Sequence, residues 1–236
     1  MDVPFVLFPL YCELYFAKGP VILMNYSIQL SSLSVSDFKS IILGKELLPS
    51  RRFIVDNIDD VFLKIQSQGI DDLQTLKSTL NNSKKVSSLA EHSGIPMEYL
   101  TVLKRELHAL EQSPVLLSDF GIMDGSVIEI LTAQGIRTSR DYYERAGNIK
   151  LDDYTQSMLS SLCDLIRVNG IGTAAAKAFF AAGYQSVKDI ADGEAEDMLE
   201  RISQENSKRQ FYNGRLGIKD MQYCIDNAKL LLRFSG

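Results

Sequence analysis

From residue 34 onward, apolar side chains recur at three- and four-residue spacing, and no stretch shows the sustained alternation of a strand. Ser34-Val35-Ser36-Asp37-Phe38 supplies a cap and a first turn. Ile58, Val61, Phe62 and Ile65 fall on one helical face. Ser83 offers a cap for a helix from Lys84 to His92 carrying Val86, Leu89 and Ala90. Pro96 suits the first turn of the next helix, whose stripe is Tyr99, Leu100, Leu103 and Leu107. Asp152 or Asp153 starts a helix with Met158, Leu159, Leu162, Leu165 and Ile166. Residues 218–232 form a last helix with Met221, Ile225, Ala228 and Leu232 on one side. The pattern predicts an all-α chain of many short helices joined by glycine-bearing turns.

Those turns repeat. The stretch from Ile122 (IMDGSVIEILTAQGIRTSRDYYERAG) aligns without gaps on that from Gly170 (GIGTAAAKAFFAAGYQSVKDIADGE), with Gly135 on Gly183, Ala133 on Ala181 and Asp141 on Asp189. Val61, Phe62, Ile65, Gly69 and Ile70 match Val127, Ile128, Leu131, Gly135 and Ile136. A shifted relation links residues 89–96 with 165–172. The unequal offsets indicate diverged hairpins rather than a regular solenoid. The unit is a helix, a Gly-hydrophobic-Gly turn, a second helix, then Gly-aliphatic and a short capped helix. Gly170 ends the first helix in a left-handed conformation, and Ile171 plugs back into the hairpin. Gly172 admits the chain to the next helix with its N–H groups uncovered. Ala176 is small where the helices touch. Gly183 ends the second helix, and Ser186 with Asp189 caps the next.

The string Ile166-Arg167-Val168-Asn169-Gly170-Ile171-Gly172, followed by Ala176 and Phe179, resembles a helix-hairpin-helix element. The wider span, LCDLIRVNGIGTAAAKAFFAAGYQSVKDIA, then MLERI, then DNAKLLL, resembles a bacterial domain-of-unknown-function family built from tandem, SAM-like helix-hairpin-helix units. The likeness runs from about Pro114 to Leu232. It implies that hairpin N–H groups and the positive end of the following helix hold a nucleic-acid phosphate, without base reading. Carried onto this chain, the site is the turn Gly170-Ile171-Gly172 with Thr173 and Ala174, and Lys177 one turn on. The chain departs from the binding pattern at several places. Asn169 replaces a proline, and Ala174 stands where a basic residue is common. Asp124 occupies the second-glycine position of the preceding copy, and Glu98 follows the Gly94 copy closely, so at most one hairpin suits phosphate.

Composition changes the picture modestly. A hydrophobic share of 45%, a charged share of 23% and 236 residues are ordinary for a globular protein. The formal net charge of −5 argues against a strong general DNA binder. From Arg167 onward, ten lysines and arginines face nine carboxylates, so the C-terminal part is the less repulsive to a polyanion. Cys12, Cys163 and Cys224 lie far apart, and His92 and His108 are the sole histidines. No metal site is expected, and the sparse, odd cysteine set points to a reducing, cytoplasmic compartment. The glycines do not make a nucleotide site. A helix rather than a strand precedes them, and no GxxxxGK[ST] occurs. The acidic pairs Asp59-Asp60, Asp71-Asp72 and Asp152-Asp153 sit at helix starts, where the dipole favours them. The Tyr142-Tyr143 pair reads as packing, and Lys84-Lys85 and Lys208-Arg209 as solvated faces. No cofactor, small-molecule substrate or enzymatic constellation is expected.

Residues 1–33 read as an N-terminal extension, a mis-assigned start or a poorly ordered segment, with translation beginning at Met24. Prolines and charges interrupt its apolar run, which fits neither a signal peptide nor a membrane helix of about 18 or more apolar residues. Residues 34–113 read as a helical domain of diverged hairpins and 114–236 as the tandem helix-hairpin-helix domain. Two functions remain open. One is weak, non-sequence-specific association with DNA backbone; the other is a scaffold that binds another protein.

Overall fold

The computed structural model describes residues 25–145 and 149–235, and these are helical almost throughout. In order come α1 (Val35–Gly44), α2 (Ile58–Ser67), α3 (Leu73–Asn81), α4 (Ser83–Ser93), α5 (Met97–His108), α6 (Gly125–Ala133), α7 (Ser139–Arg145), α8 (Asp153–Leu165), α9 (Thr173–Ala181), α10 (Val187–Ala191), α11 (Ala195–Arg209) and α12 (Ile218–Phe234). Short 3-10 turns cover Leu30–Ser32, Pro49–Val55 and Leu117–Phe120. The fold is all-α, as the hydrophobic periodicity predicts. Apolar positions read from the sequence are buried, including Val61, Phe62 and Ile65 in α2, Leu100 and Leu103 in α5, and Leu159 and Leu162 in α8. Each buried side chain of this size contributes about 1.5–3 kcal/mol.

Caps place the helix starts. Ser34 and Asp37 form a capping box on α1, and Ser186 accepts from Asp189 N on α10. Asp72 caps α3 and Asp152 caps α8. One expected cap moves by a residue. Ser83 is the first residue of α4, and the Asn82 side chain accepts from Lys84 N and Lys85 N. Asn at this position accepts two donors where a serine hydroxyl usually takes one. Pro96 likewise stands just outside α5, as its N-cap. Tyr142 is fully buried, as its repeat position implies.

A recurrent joint ties each short capped helix to an earlier segment. Val35 N donates to Asp71 O and Leu73 N to Leu33 O. The same pair of bonds joins Leu117 N to Arg137 O and Ser139 N to Val115 O. At α10 the partner is a side chain instead, with Val187 N donating to Asp164 at 2.7 Å. The α12 helix lies along α10 and α11, while α8 packs on α7 and α9.

Residues 25–33 are not an appendage. Tyr26, Ile28, Leu30 and Leu33 are buried. Asn25 N donates to Ser235 O and Gln29 N to Phe234 O. The reason lies at Arg167, which is 5% exposed. Its Nε donates to Tyr26 O at 2.9 Å, one terminal nitrogen to Asn25 O at 3.1 Å, and the other to the Asp164 carboxylate. The guanidinium also lies 4.2 Å from the Tyr143 ring centroid. The expected start at Met24 lies outside the described residues.

Removing Arg167 strands Asp164 and two backbone carbonyls. Arg167→Ala is therefore expected to cost about 3–5 kcal/mol in urea unfolding. Arg167→Lys should recover little of that loss, because donors on one nitrogen cannot reach acceptors held by three separate nitrogens of a planar fork, or stack that plane on a ring face.

Cap hydrogen bonds also set the acid limb of stability. The Ser34 and Thr75 hydroxyls hold Asp37 and Asp72 below the usual carboxylate range, and the Thr155 backbone N–H does the same for Asp152. A lowered folded pKa gives stability that is full above the unfolded value of about 3.9 and is lost as pH falls below it. Melting temperatures should fall below about pH 4. Asp152→Asn keeps an acceptor at the cap without a titrating group, so its melting temperature should fall less steeply there.

Candidate nucleic-acid interface

The turn between α8 and α9 is built from buried apolar residues around two glycines with different jobs. Leu165, Ile166 and Val168 are fully buried. Val168 O accepts from Ile171 N at 3.1 Å, and the Ile171 side chain is fully buried. Gly170 has φ +96, and a Cβ there would lie 2.9 Å from Tyr223 Cε1. Both backbone conformation and space demand glycine at this point. Gly172 has φ −86 and ψ 175, open to any residue, and a Cβ would meet nothing within 4 Å. The fold does not require glycine at 172. What its missing side chain does is leave the start of α9 uncovered.

The first intrahelical bond of α9 runs from Ala176 N to Gly172 O at 2.8 Å. The backbone N–H groups of Gly170, Gly172, Thr173, Ala174 and Ala175 have no acceptor among the described residues. Among the described α-helices, α9 alone begins with neither a side-chain cap nor an acidic residue in its first turn. Gly170 and Gly172 are exposed, and Thr173 and Ala174 half-exposed. The positive end of the helix dipole and several unused donors thus face solvent together, an arrangement suited to an anion.

The other hairpins are filled by their own acids. Asp124 caps α6, accepting from Ser126 N at 3.0 Å and Ser126 Oγ at 3.1 Å. Those bonds lower its carboxyl pKa. Glu98 stands exposed in the first turn of α5.

Of the sequence-derived residues, Gly170, Gly172, Thr173 and Ala174 are brought together by their N–H groups. Ile171 is not a donor to a ligand, because its N–H is engaged by Val168 O; it anchors the turn. Lys177, half-buried, has no ion-pair partner among the described residues and lines a cleft beside α9. The arginine inside the motif, Arg167, is buried and fully used in structure. Sequence reasoning missed the residues that hold the turn from outside. Asn169 donates to Ala109 O and, at 3.1 Å, to the Tyr223 hydroxyl. Gln112 donates to Ile171 O at 3.4 Å. The asparagine in place of proline was the visible signal, since it supplies a donor that proline lacks.

Residues 163–208, about a fifth of the chain, match the family model of the SAM-like helix-hairpin-helix tandem. The match begins at the last three residues of α8, takes in the turn and α9, and continues through α10 and most of α11. No curated protein and no solved structure matches the chain. Among the described residues, no helix is long and apolar enough to cross a membrane. Cys163 and Cys224 are buried and free, and burial pushes the Cys224 thiol up to about 12.

The two glycines should separate in mutagenesis. Gly170→Ala combines a left-handed backbone with a clash on Tyr223, and should lose about 1–3 kcal/mol of stability in urea unfolding. Gly172→Ser fits its backbone and adds a cap, so the same measurement should show no loss and a gain of up to about 1 kcal/mol.

Proposed function

We propose that the protein is a non-enzymatic, cytoplasmic module that associates weakly with nucleic-acid backbone, without reading sequence, through the α8–α9 hairpin. The observation that carries this reading is the start of α9. It is uncapped, free of acid and open at a glycine the fold does not need. A helix start usually gains stability from a capping side chain; leaving it bare favours an anion from outside. Helix-hairpin-helix domains commonly bind nucleic acids non-specifically, and the family match includes this turn and α9. The contacts would be Gly170, Gly172, Thr173 and Ala174 N–H groups on one phosphate, with Lys177 near the next. The bacterial tandem family resembled by residues 114–232 is part of the same reading, as is the division into residues 34–113 and 114–236.

A net charge of −5 and the exposed apolar side chains Ile122 and Ile130, at 42% and 48%, favour a second reading. In it the helical hairpins bind another protein.

Titration of duplex and single-stranded DNA across a salt series decides between them. The nucleic-acid reading expects measurable binding at low salt. The slope of log K against log salt should be shallow, about −1 to −2 for one or two phosphates. Gly172→Asp should remove the binding while leaving the fold intact. Absence of binding at low salt, or binding indifferent to Gly172→Asp, rejects this function. Recovery of one stoichiometric protein partner would then support the second.

A further inference from the structure

On one side of α9, Thr173, Lys177, Phe180 and Ala181 follow one another at positions i, i+4, i+7 and i+8, a single helical face. That face leads from the open hairpin into a cleft of about 280 Å3 whose lining includes Tyr154, Met158, Lys177, Phe180, Arg209 and Phe211. Thr173 and Lys177 are one turn apart, about 6 Å along the axis. The cleft shares Lys177 with the candidate phosphate site, and it differs from it in chemistry. Phe180 and Phe211 are half-buried in its lining, and Tyr154 stands at its edge, 71% exposed, its hydroxyl without a hydrogen-bond partner among the described residues. Two cations enter it. Lys177 has no ion-pair partner among the described residues, and Arg209 is held only at 3.7 Å by Glu205. Asp124 is the carboxylate in the lining, already bonded to Ser126, and it suits the amino edge of a base rather than a phosphate.

We propose that this cleft receives an unpaired base, and that the ligand of the hairpin is single-stranded rather than duplex nucleic acid. The inference rests on the phosphate-binding reading of the α9 hairpin. Its volume lies at the lower limit of small-ligand sites, about 300 Å3, which suits one planar ring system. Bases in a duplex are stacked and present only their edges, so rings and a cleft of this kind admit a base that has left the stack. Aromatic faces beside a cationic track are the recurring means of holding single strands without sequence preference. A strand with one phosphate at the α9 start and its course along Lys177 would bring a base to Phe180, about 10 Å along the helix from that start, in the cleft that Tyr154 and Phe211 also line.

The test compares the full chain on a single-stranded oligonucleotide carrying one 2-aminopurine and on the duplex of the same sequence. Binding should be tighter to the single strand, with quenching of the 2-aminopurine fluorescence. Tyr154→Ala, an exposed change without folding cost, should weaken single-strand binding by about five- to hundredfold and leave duplex binding unchanged. Gly172→Asp should abolish both. Equal affinity for the two forms, or a Tyr154→Ala protein that binds the single strand like wild type, overturns the cleft proposal while the hairpin reading stands if Gly172→Asp still abolishes binding. Failure of the wild-type protein to bind either form overturns both.

Discussion

The buried Arg167 guanidinium is the contact on which the arrangement of this protein depends. It satisfies two carbonyls of the first described residues, the Asp164 carboxylate at the end of α8 and the face of Tyr143. Asp164, fixed by this arginine, in turn accepts from Val187 N at the start of α10. One side chain therefore sets the position of the N-terminal segment, the end of α8 and the short helix after the hairpin. A charge this deep is tolerable only when every donor has a partner. The consequence is a hairpin held from behind with little freedom, while its outer surface carries no structural obligation.

That division explains why the same turn serves two ends. Gly170 faces inward, against Tyr223 and near Cys224, and belongs to packing. Gly172 faces outward, and nothing in the fold requires a glycine there. Diverged copies elsewhere keep the turn and lose the openness. Asp124 seals α6 with its own carboxylate, and Glu98 puts a negative charge into the first turn of α5. The turn is a packing device first; exposure of the N–H groups is a separate property, retained at a single helix among those described.

The helical architecture was legible because it rests on periodicity and caps, both local. Apolar spacing located α2, α5, α8 and α12, and Ser34-Asp37 and Ser186-Asp189 fixed starts correctly. Errors were of one residue, as at Asn82 against Ser83, where two adjacent residues can both cap. The glycine turn and the donors of the candidate site were legible for the same reason. The cleft, the hold of Asn169 on Ala109 and that of Gln112 on Ile171 were not. Each joins residues far apart in the chain, and no local pattern encodes which distant carbonyl an asparagine will meet. Residues 25–33 were misread because their worth lies wholly in such distant partners. They read as part of an extension until Tyr26 is seen against Ser139 and Arg167.

The bond between Asn25 and Ser235 spans 210 positions of sequence. Closing so large a loop is entropically expensive, and the expense falls late. On a ribosome, Tyr26 emerges long before the serine at 139 and the arginine at 167 that will bury it, and Ser235 in turn follows both. Until those partners are made, Tyr26 has no core to enter. Helices such as α2 and α5 form early from local contacts, but the burial of Tyr26 depends on segments made much later. A protein assembled in this order has a vulnerable interval during synthesis, and its length is set by where in the gene the partners of Tyr26 are written.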